Sequence, residues 1–176
     1  MINWQNFQEN FDTIAVPAKT ILLNEGVVAQ KIYFIKKGCL RLWFNNDGKD
    51  VTFQFFFESQ SVASIESFRN HIPSQFSIET LEPCVLLSVT KERFYAILDK
   101  STALRKEMED YSFDRLLSYQ YLFLSRIKDS PQKRYEQLLK EHPEIFQRVP
   151  QHYIASYLGI TSVSLSRIRN RKVCIS

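Results

Sequence analysis

Residues 149–172 read VPQHYIASYLGITSVSLSRIRNRK, the spacing of two short helices joined by a tight turn. Pro150 suits the first position of a helix, where a missing N–H has no partner to lose. Ile154 and Leu158 fall one turn apart, with Ala155 beside them. Gly159 follows the last periodic residue, where a left-handed conformation is easiest for a residue without a Cβ. After Ile160, the Thr161 hydroxyl can cap a second helix, and Leu165 and Ile168 give that helix an apolar side. Two helices crossing near a right angle need a small residue at the crossing, which Ala155 supplies. The expected outward side of the second helix is Thr161, Ser162, Val163, Ser166, Arg167 and Asn170. These are hydroxyls, a methyl pair, a guanidinium and an amide, groups able to reach base edges and phosphates in the major groove of double-stranded DNA.

A purely structural helical hairpin would share this apolar pattern. Charge separates the two readings. From Ile145 to the C-terminus there is no Asp or Glu, whereas Arg148, Arg167, Arg169, Arg171 and Lys172 are basic. The whole chain has 23 Lys and Arg against 19 Asp and Glu, a net charge of +4. Without those five, 18 basic residues face 19 acidic ones, a net of −1. The positive field is therefore local to the helical pair, whereas a solvated face would mix signs.

The 176 residues allow one large or two small domains, and 44% apolar residues can bury a core. The start, MINWQNFQENFD, has neither the basic residues nor the apolar run of a signal peptide. Apolar patches such as Val51–Phe57 are too short to span a bilayer. Cys39, Cys84 and Cys174 are scattered and fit buried thiols in a reducing cytoplasm; with His71, His142 and His152 equally dispersed, no metal site is expected.

Met1–Phe11 has the loose apolar spacing of a short leading helix. From Lys19 the period shifts toward two. Thr20–Leu23, Lys31–Lys36, Cys39–Asn45, Val51–Phe57, Gln75–Leu81 and Val85–Val89 are predicted strands, separated by turns at Asn24-Glu25-Gly26, Lys37-Gly38, Asn45-Asn46-Asp47-Gly48 and Glu82-Pro83. Short strands this close together predict an antiparallel β-roll or sandwich. Ser61–His71 interrupts them with enough apolar residues for one short helix. It reads either as a phosphate-binding cassette within a β-roll or as a plain crossover loop.

After a short helical segment at Lys91–Leu98, Ser101 to about Ile127 reads as one long helix without Gly or Pro. Leu104, Met108 and Tyr111 begin one apolar stripe; Phe113, Leu117, Leu124 and Ile127 form another. Two stripes predict two buried contacts, one with the β-roll and one with the same helix of a second subunit. Burial of both within a monomer is the alternative. Ser130-Pro131 marks a hinge, Gln132–Lys140 a helix, and His142-Pro143-Glu144 a turn, with Ile145, Phe146 and Val149 completing a small core. The domain reading is a sensor β-roll at 1–100, a connecting helix at 101–128 and a DNA-binding domain at 129–176.

Three stretches, LLNEGVVAQKIYFIKKGCLRLWFNNDGKDVTFQFF, PSQFSIETLE and RVPQHYIASYLGITSVSLSRIR, together with the long helix, resemble the Crp/Fnr superfamily of bacterial transcription regulators, especially its compact Bacteroidetes-type members. The resemblance implies an α+β chain: an N-terminal antiparallel, jelly-roll-like β-roll of the cyclic-nucleotide-binding type, a dimerisation helix and a small winged-helix-like helix-turn-helix domain. It implies a cytoplasmic homodimer that reads a pseudo-palindromic operator through residues 161–171, contacts RNA polymerase and responds to a small-molecule effector.

Two departures from the family pattern bear on function. Cyclic-nucleotide-binding relatives carry Gly-Glu before the short helix and Arg-Ser/Thr-Ala after it, for ribose and phosphate; here the regions read Ser64-Ile65-Glu66 and Ser74-Gln75-Phe76. Without that Arg a cyclic phosphate loses its charge-assisted partner, and Arg69 could replace it only through a rearranged loop. Binding of cyclic AMP in the usual way is not expected. Ser64, Glu66, Ser74 and Gln75 remain the candidate ligand residues for an unidentified effector, and no cofactor is expected, since the N-terminal cysteine cluster of iron–sulfur relatives is missing. In the reading helix, Ser162-Val163 stands where relatives that read G·C pairs carry Arg-Glu, so cytosine loses its acceptor while Val163 can meet a thymine methyl. The resemblance leaves Arg167 for a base, with guanine the expected partner, and Arg169, Arg171 and Lys172 for phosphates. No enzymatic arrangement is readable: a cupin would need clustered His and Glu ligands. A β-roll that binds a ligand or partner without sequence-specific DNA binding is the second reading.

Overall fold

The computed structural model describes the backbone of residues 10–173 and the side chains of residues 10–170. The chain divides into two compact units, Met1–Phe44 with Gln54–Leu116 and Asn45–Phe53 with Leu117–Ser176.

Eight strands form two four-stranded sheets, belonging to the first unit except for the hairpin segment Asn45–Phe53, which belongs to the second. They are β1 (Asp12–Val16), β2 (Ile21–Leu23), β3 (Lys31–Lys37), β4 (Leu40–Asn46), β5 (Lys49–Phe56), β6 (Ser61–Val62), β7 (Ser77–Thr80) and β8 (Cys84–Thr90). The sheet orders are β1-β8-β3-β6 and β2-β7-β4-β5. β3 and β8 pair antiparallel, Ile32 opposite Val89 and Phe34 opposite Leu87. All four of these side chains are buried, as are Leu40, Leu42 and Ile78 of the other sheet. Runs such as Ile32–Ile35, buried on consecutive residues, mark strands covered on both faces. Gly38 sits at φ 115°, and a Cβ there would run into Cys84 Sγ. That close approach explains why a glycine links β3 to β4.

The six predicted strands are present with shifted ends, and Ser61–Val62, read as the start of the helical interruption, is instead strand β6, paired with Tyr33 and Phe34 of β3. β5 starts at Lys49 because the β4–β5 turn has only two residues: Asp47 at φ 52° and Gly48 at φ 83° adopt the mirror-image conformation of tight hairpins. β7 is only Ser77–Thr80: Ser74 is held to the β2–β3 loop, Gln75 donates to Glu66 and Phe76 N donates to Ser74 Oγ. β1 was not readable as a strand. Its short, half-exposed run gains its pairing only from distant β8. The expected leading helix lies mostly outside the described residues; at its end, Phe11 is buried edge-on against Phe34, 5.1 Å between rings.

Helix α1 (Ile65–Asn70) follows β6, and α2 (Lys91–Lys100) follows β8. Thr90 caps α2 by accepting the N–H of Arg93, and Phe68 of α1 packs edge-on against Phe94 of α2. The long helix α3 (Thr102–Lys128) starts from Ser101, whose hydroxyl accepts the N–H of Leu104. Leu104 of the first stripe is buried, Met108 and Tyr111 are half-buried, and the Tyr111 hydroxyl meets Ser61 Oγ at 3.1 Å. The second stripe is exposed on the single chain: Phe113 by 66%, Leu117 by 50%, Leu124 by 38% and Ile127 by 68%.

In the second unit, α4 (Pro131–Glu141), α5 (Pro143–Arg148), α6 (Gln151–Leu158) and α7 (Ser162–Val173) surround a small core of Tyr135, Leu138, Ile145, Val149, Ile154, Ala155, Leu158 and Leu165. Ser130 caps α4 with Pro131 at its first turn. The expected turn at His142-Pro143-Glu144 instead opens the helix α5, with Pro143 in its first turn. Six residues are too few to show a helical period, so the sequence offered only the breaker. Phe146 of α5 stands edge-on to Tyr135, at 5.2 Å.

Candidate nucleic-acid interface

α6, the turn and α7 form the expected helical pair. Pro150 is the residue before the first helical one rather than the first itself, its carbonyl accepting from Tyr153 and Ile154. Ile154, Ala155 and Leu158 are buried at 1–3% exposure, and Leu165 of α7 at 1%, so the two helices share one apolar seam. Ile168 is half-buried at its edge. Gly159 takes the left-handed conformation, φ 68°. Thr161 accepts the N–H of Ser164 at 3.1 Å, so its hydroxyl caps α7.

With Leu165 inward, helical geometry places Val163, Ser166, Arg167 and Asn170 on the opposite side, at positions i, i+3, i+4 and i+7. All four are exposed, Val163 by 61%. Ser162 and Arg169 are exposed on the flank nearer the core. The side chains of Arg171 and Lys172 lie outside the described residues. The structure thus gathers Ser162, Val163, Ser166, Arg167, Arg169 and Asn170 on one outward surface and Thr161 at its start, with no acidic residue in the first turn of α6 or α7.

Three residues that the sequence did not single out hold α6. The Ser156 hydroxyl accepts the N–H of Thr52 at 2.9 Å and lies 3.4 Å from the Asp50 carbonyl, fastening the β4–β5 hairpin tip to α6. Arg126 Nη2 donates to the Tyr157 carbonyl at 2.6 Å, and Arg134 Nη2 to the Leu158 carbonyl at 2.9 Å. Burial chiefly, and then the charge of Arg134, lowers the Arg126 pKa, against a raising contribution from Tyr157. Nothing in their sequence context sets these arginines apart from ordinary charged residues on an exposed helix face.

The four candidate ligand residues of the first unit also come together, but as two closed pairs. Ser64 and Ser74, 2% and 3% exposed, lie 2.9 Å apart between hydroxyl oxygens, with the Phe76 carbonyl 2.7 Å from Ser74 Oγ. Exposed Gln75 donates to Glu66 at 3.2 Å. The backbone of Ser74 is bonded on both sides, its carbonyl to Gly26 N and its N–H to the Val27 carbonyl. Arg69 is exposed at the end of α1, and its carbonyl accepts from Lys91 Nζ. Inside the roll, Arg41 is buried in an ion pair with Glu79, Nε and Nη2 at 2.7 and 2.6 Å from one carboxylate oxygen, and lies 4.9 Å from the Trp43 ring centre. Among the described residues no group of three His, Cys, Asp or Glu is placed to hold a metal ion, and no helix is long and apolar enough to cross a membrane.

Residues 13–101 match the family model for the cyclic nucleotide-binding domain. Among curated proteins none matches the sequence. Solved structures are similar over nearly the whole chain. A CooA variant from Carboxydothermus hydrogenoformans is 16% identical, with a TM-score of 0.75, covering 99% of this chain and 82% of that one. The c-di-GMP responsive global regulator CLP of Xanthomonas campestris is 17% identical, with a TM-score of 0.74 and coverage of 97% and 90%. A protein from Eubacterium rectale described as a transcriptional regulator of the Crp/Fnr family is 20% identical, with a TM-score of 0.73 and coverage of 98% and 84%.

Proposed function

The chain belongs to the cyclic nucleotide-binding domain family and has the Crp/Fnr fold, and from that premise we propose that it is a DNA-binding transcription regulator, working as a homodimer on a pseudo-palindromic operator. The observation that carries this reading is the outward surface of α7: Val163, Ser166, Arg167 and Asn170 exposed on the side opposite buried Leu165, with Arg169 on the flank. In the major groove, Arg167 donates bidentately to guanine and Val163 packs on a thymine methyl, while Arg169, Arg171 and Lys172 meet phosphates.

The exposed stripe of α3 supports the homodimer. Phe113, Leu117, Leu124 and Ile127 show 66%, 50%, 38% and 68% of their surface, and a second copy of the same helix would cover them. A twofold pair of this kind presents its reading helices about 34 Å apart, one turn of the duplex. The roll would then sense a small molecule other than cyclic AMP, because Ser74-Gln75-Phe76 offers no guanidinium to a phosphate and Ser64, Glu66, Ser74 and Gln75 bond one another. Contact with RNA polymerase belongs to the same proposal.

Selection of duplexes from a random-sequence pool tests it. The expected outcome is an enriched palindrome bound with an affinity that falls steeply as salt rises, by a chain that sediments as a dimer. Failure to retain any duplex at low ionic strength overturns the reading. Calorimetric titration with cyclic AMP should show no micromolar binding.

A further inference from the structure

The end of α6 is held by side chains of two other helices. A helix leaves its last four carbonyls without intrahelical partners. In α6 two are closed by the turn itself, Ala155 accepting from Ile160 N and Ser156 from Gly159 N, at 3.0 and 2.9 Å. The other two are closed by guanidinium groups from different helices: Tyr157 by Arg126 of α3 and Leu158 by Arg134 of α4. Arg134 also donates through Nη1 to the Asp129 carbonyl just past α3, at 2.7 Å, so its fork spans the ends of α3 and α6. Its Nε is buried without a partner, so this is not a solvated surface charge. Charge-assisted bonds at a helix C-terminus are among the stronger neutralisations of backbone acceptors. Beyond Gly159 and Ile160, the chain enters the reading helix within three residues.

We propose that Arg126 and Arg134 are positioning residues that fix the half-site spacing this chain accepts in its operator. The proposal rests on the reading above, a DNA-binding dimer joined through α3. In such a dimer the last turn of α3 is the frame from which each reading helix is hung, and these two arginines fasten the α6–α7 corner to it. One base pair more or less between half-sites displaces a reading helix by about 3.4 Å and turns it by about 35°. A rigid corner cannot follow that change; a loosened one can.

The test uses the full-length chain and the tightest palindrome selected from a random duplex pool, with variants of that duplex carrying one base pair more or one fewer at the centre. Wild type is expected to lose about tenfold or more on either shift. The double variant Arg126→Gln, Arg134→Gln should lose only a few-fold, with half-site preference and salt slope unchanged. Arg126→Lys keeps the charge but not the planar guanidinium fork, so its spacing penalty should fall between the two; it also serves if the double variant does not fold. A spacing penalty equal to that of wild type overturns the proposal. A salt slope lower by about one with spacing unchanged also overturns it, because it would make the arginines direct phosphate contacts. If wild type retains no duplex at all, the DNA-binding reading fails beneath it.

Discussion

The cassette around α1 and the surface of α7 both carry serine hydroxyls and use them in opposite ways. Ser64 and Ser74 are buried and bonded to each other, and Gln75 donates to Glu66. Ser162, Ser166 and Arg167 are exposed on a helix whose other side is anchored by Leu165. Hydroxyls and amides that satisfy one another stabilise a loop; those left facing water on a rigid helix are available to a ligand. The buried Ser64–Ser74 pair faces the loop it holds, whereas Ser162 and Ser166 of α7 face water.

The largest effect is expected from the exposed stripe of α3, the proposed contact between two copies of the chain. Leu124→Glu places a charge in the exposed stripe of α3 and should leave the chain sedimenting as single copies. Operator affinity should then fall by about 10²–10⁴, the gain that linking two sites confers. Circular dichroism should be unchanged, since Leu124 is 38% exposed on the single chain. A monomer with full operator affinity would break the link between α3 and α7.

Next comes the reading surface itself. Arg167→Ala should cost about 1–3 kcal/mol and relax preference at one operator position in each half-site. Thermal stability should be unaffected, because Arg167 is exposed on the side away from Leu165. An equal loss on every sequence would instead make Arg167 a backbone contact.

How much of this was legible in the sequence follows from how local each signal is. The α6–α7 pair was readable because Ile154, Leu158, Gly159, Thr161 and Leu165 each carry a short-range rule. The β4–β5 hairpin was readable from Asp47-Gly48. β1 and α5 were not: β1 gains its strand character from pairing with β8, about seventy residues away in the chain, and α5 is too short to show a period. The grip of Arg126 and Arg134 on α6 was also hidden, since a guanidinium seeking a distant carbonyl leaves no mark in its neighbours. Ser64, Glu66, Ser74 and Gln75 stood out in the sequence only as candidate ligand residues; their mutual bonding could be seen only in three dimensions.

The cassette yields a prediction of the opposite kind. Ser74→Ala leaves the buried Ser64 hydroxyl without its partner and removes the acceptor of Phe76 N, 3.3 Å away. It should cost about 1–3 kcal/mol of stability, read as a lower melting temperature, with operator preference unchanged. A variant as stable as wild type would show that the Ser64–Ser74 pair does not hold the loop.

The smallest effect in affinity is also the sharpest test of geometry within α7. Arg169 sits on the flank nearer the core, two residues from Arg167, and both are exposed. On a helix lying in a groove, the side facing away from the protein core meets base edges and the flank meets the phosphate wall. Arg169→Ala should therefore weaken binding only a few-fold, equally on every duplex, and lower the slope of log affinity against log salt by about one. Arg167→Ala changes which sequence is chosen; Arg169→Ala changes how strongly salt competes. If the two variants exchange these behaviours, the reading helix is rotated in the groove relative to the orientation that Leu165 imposes.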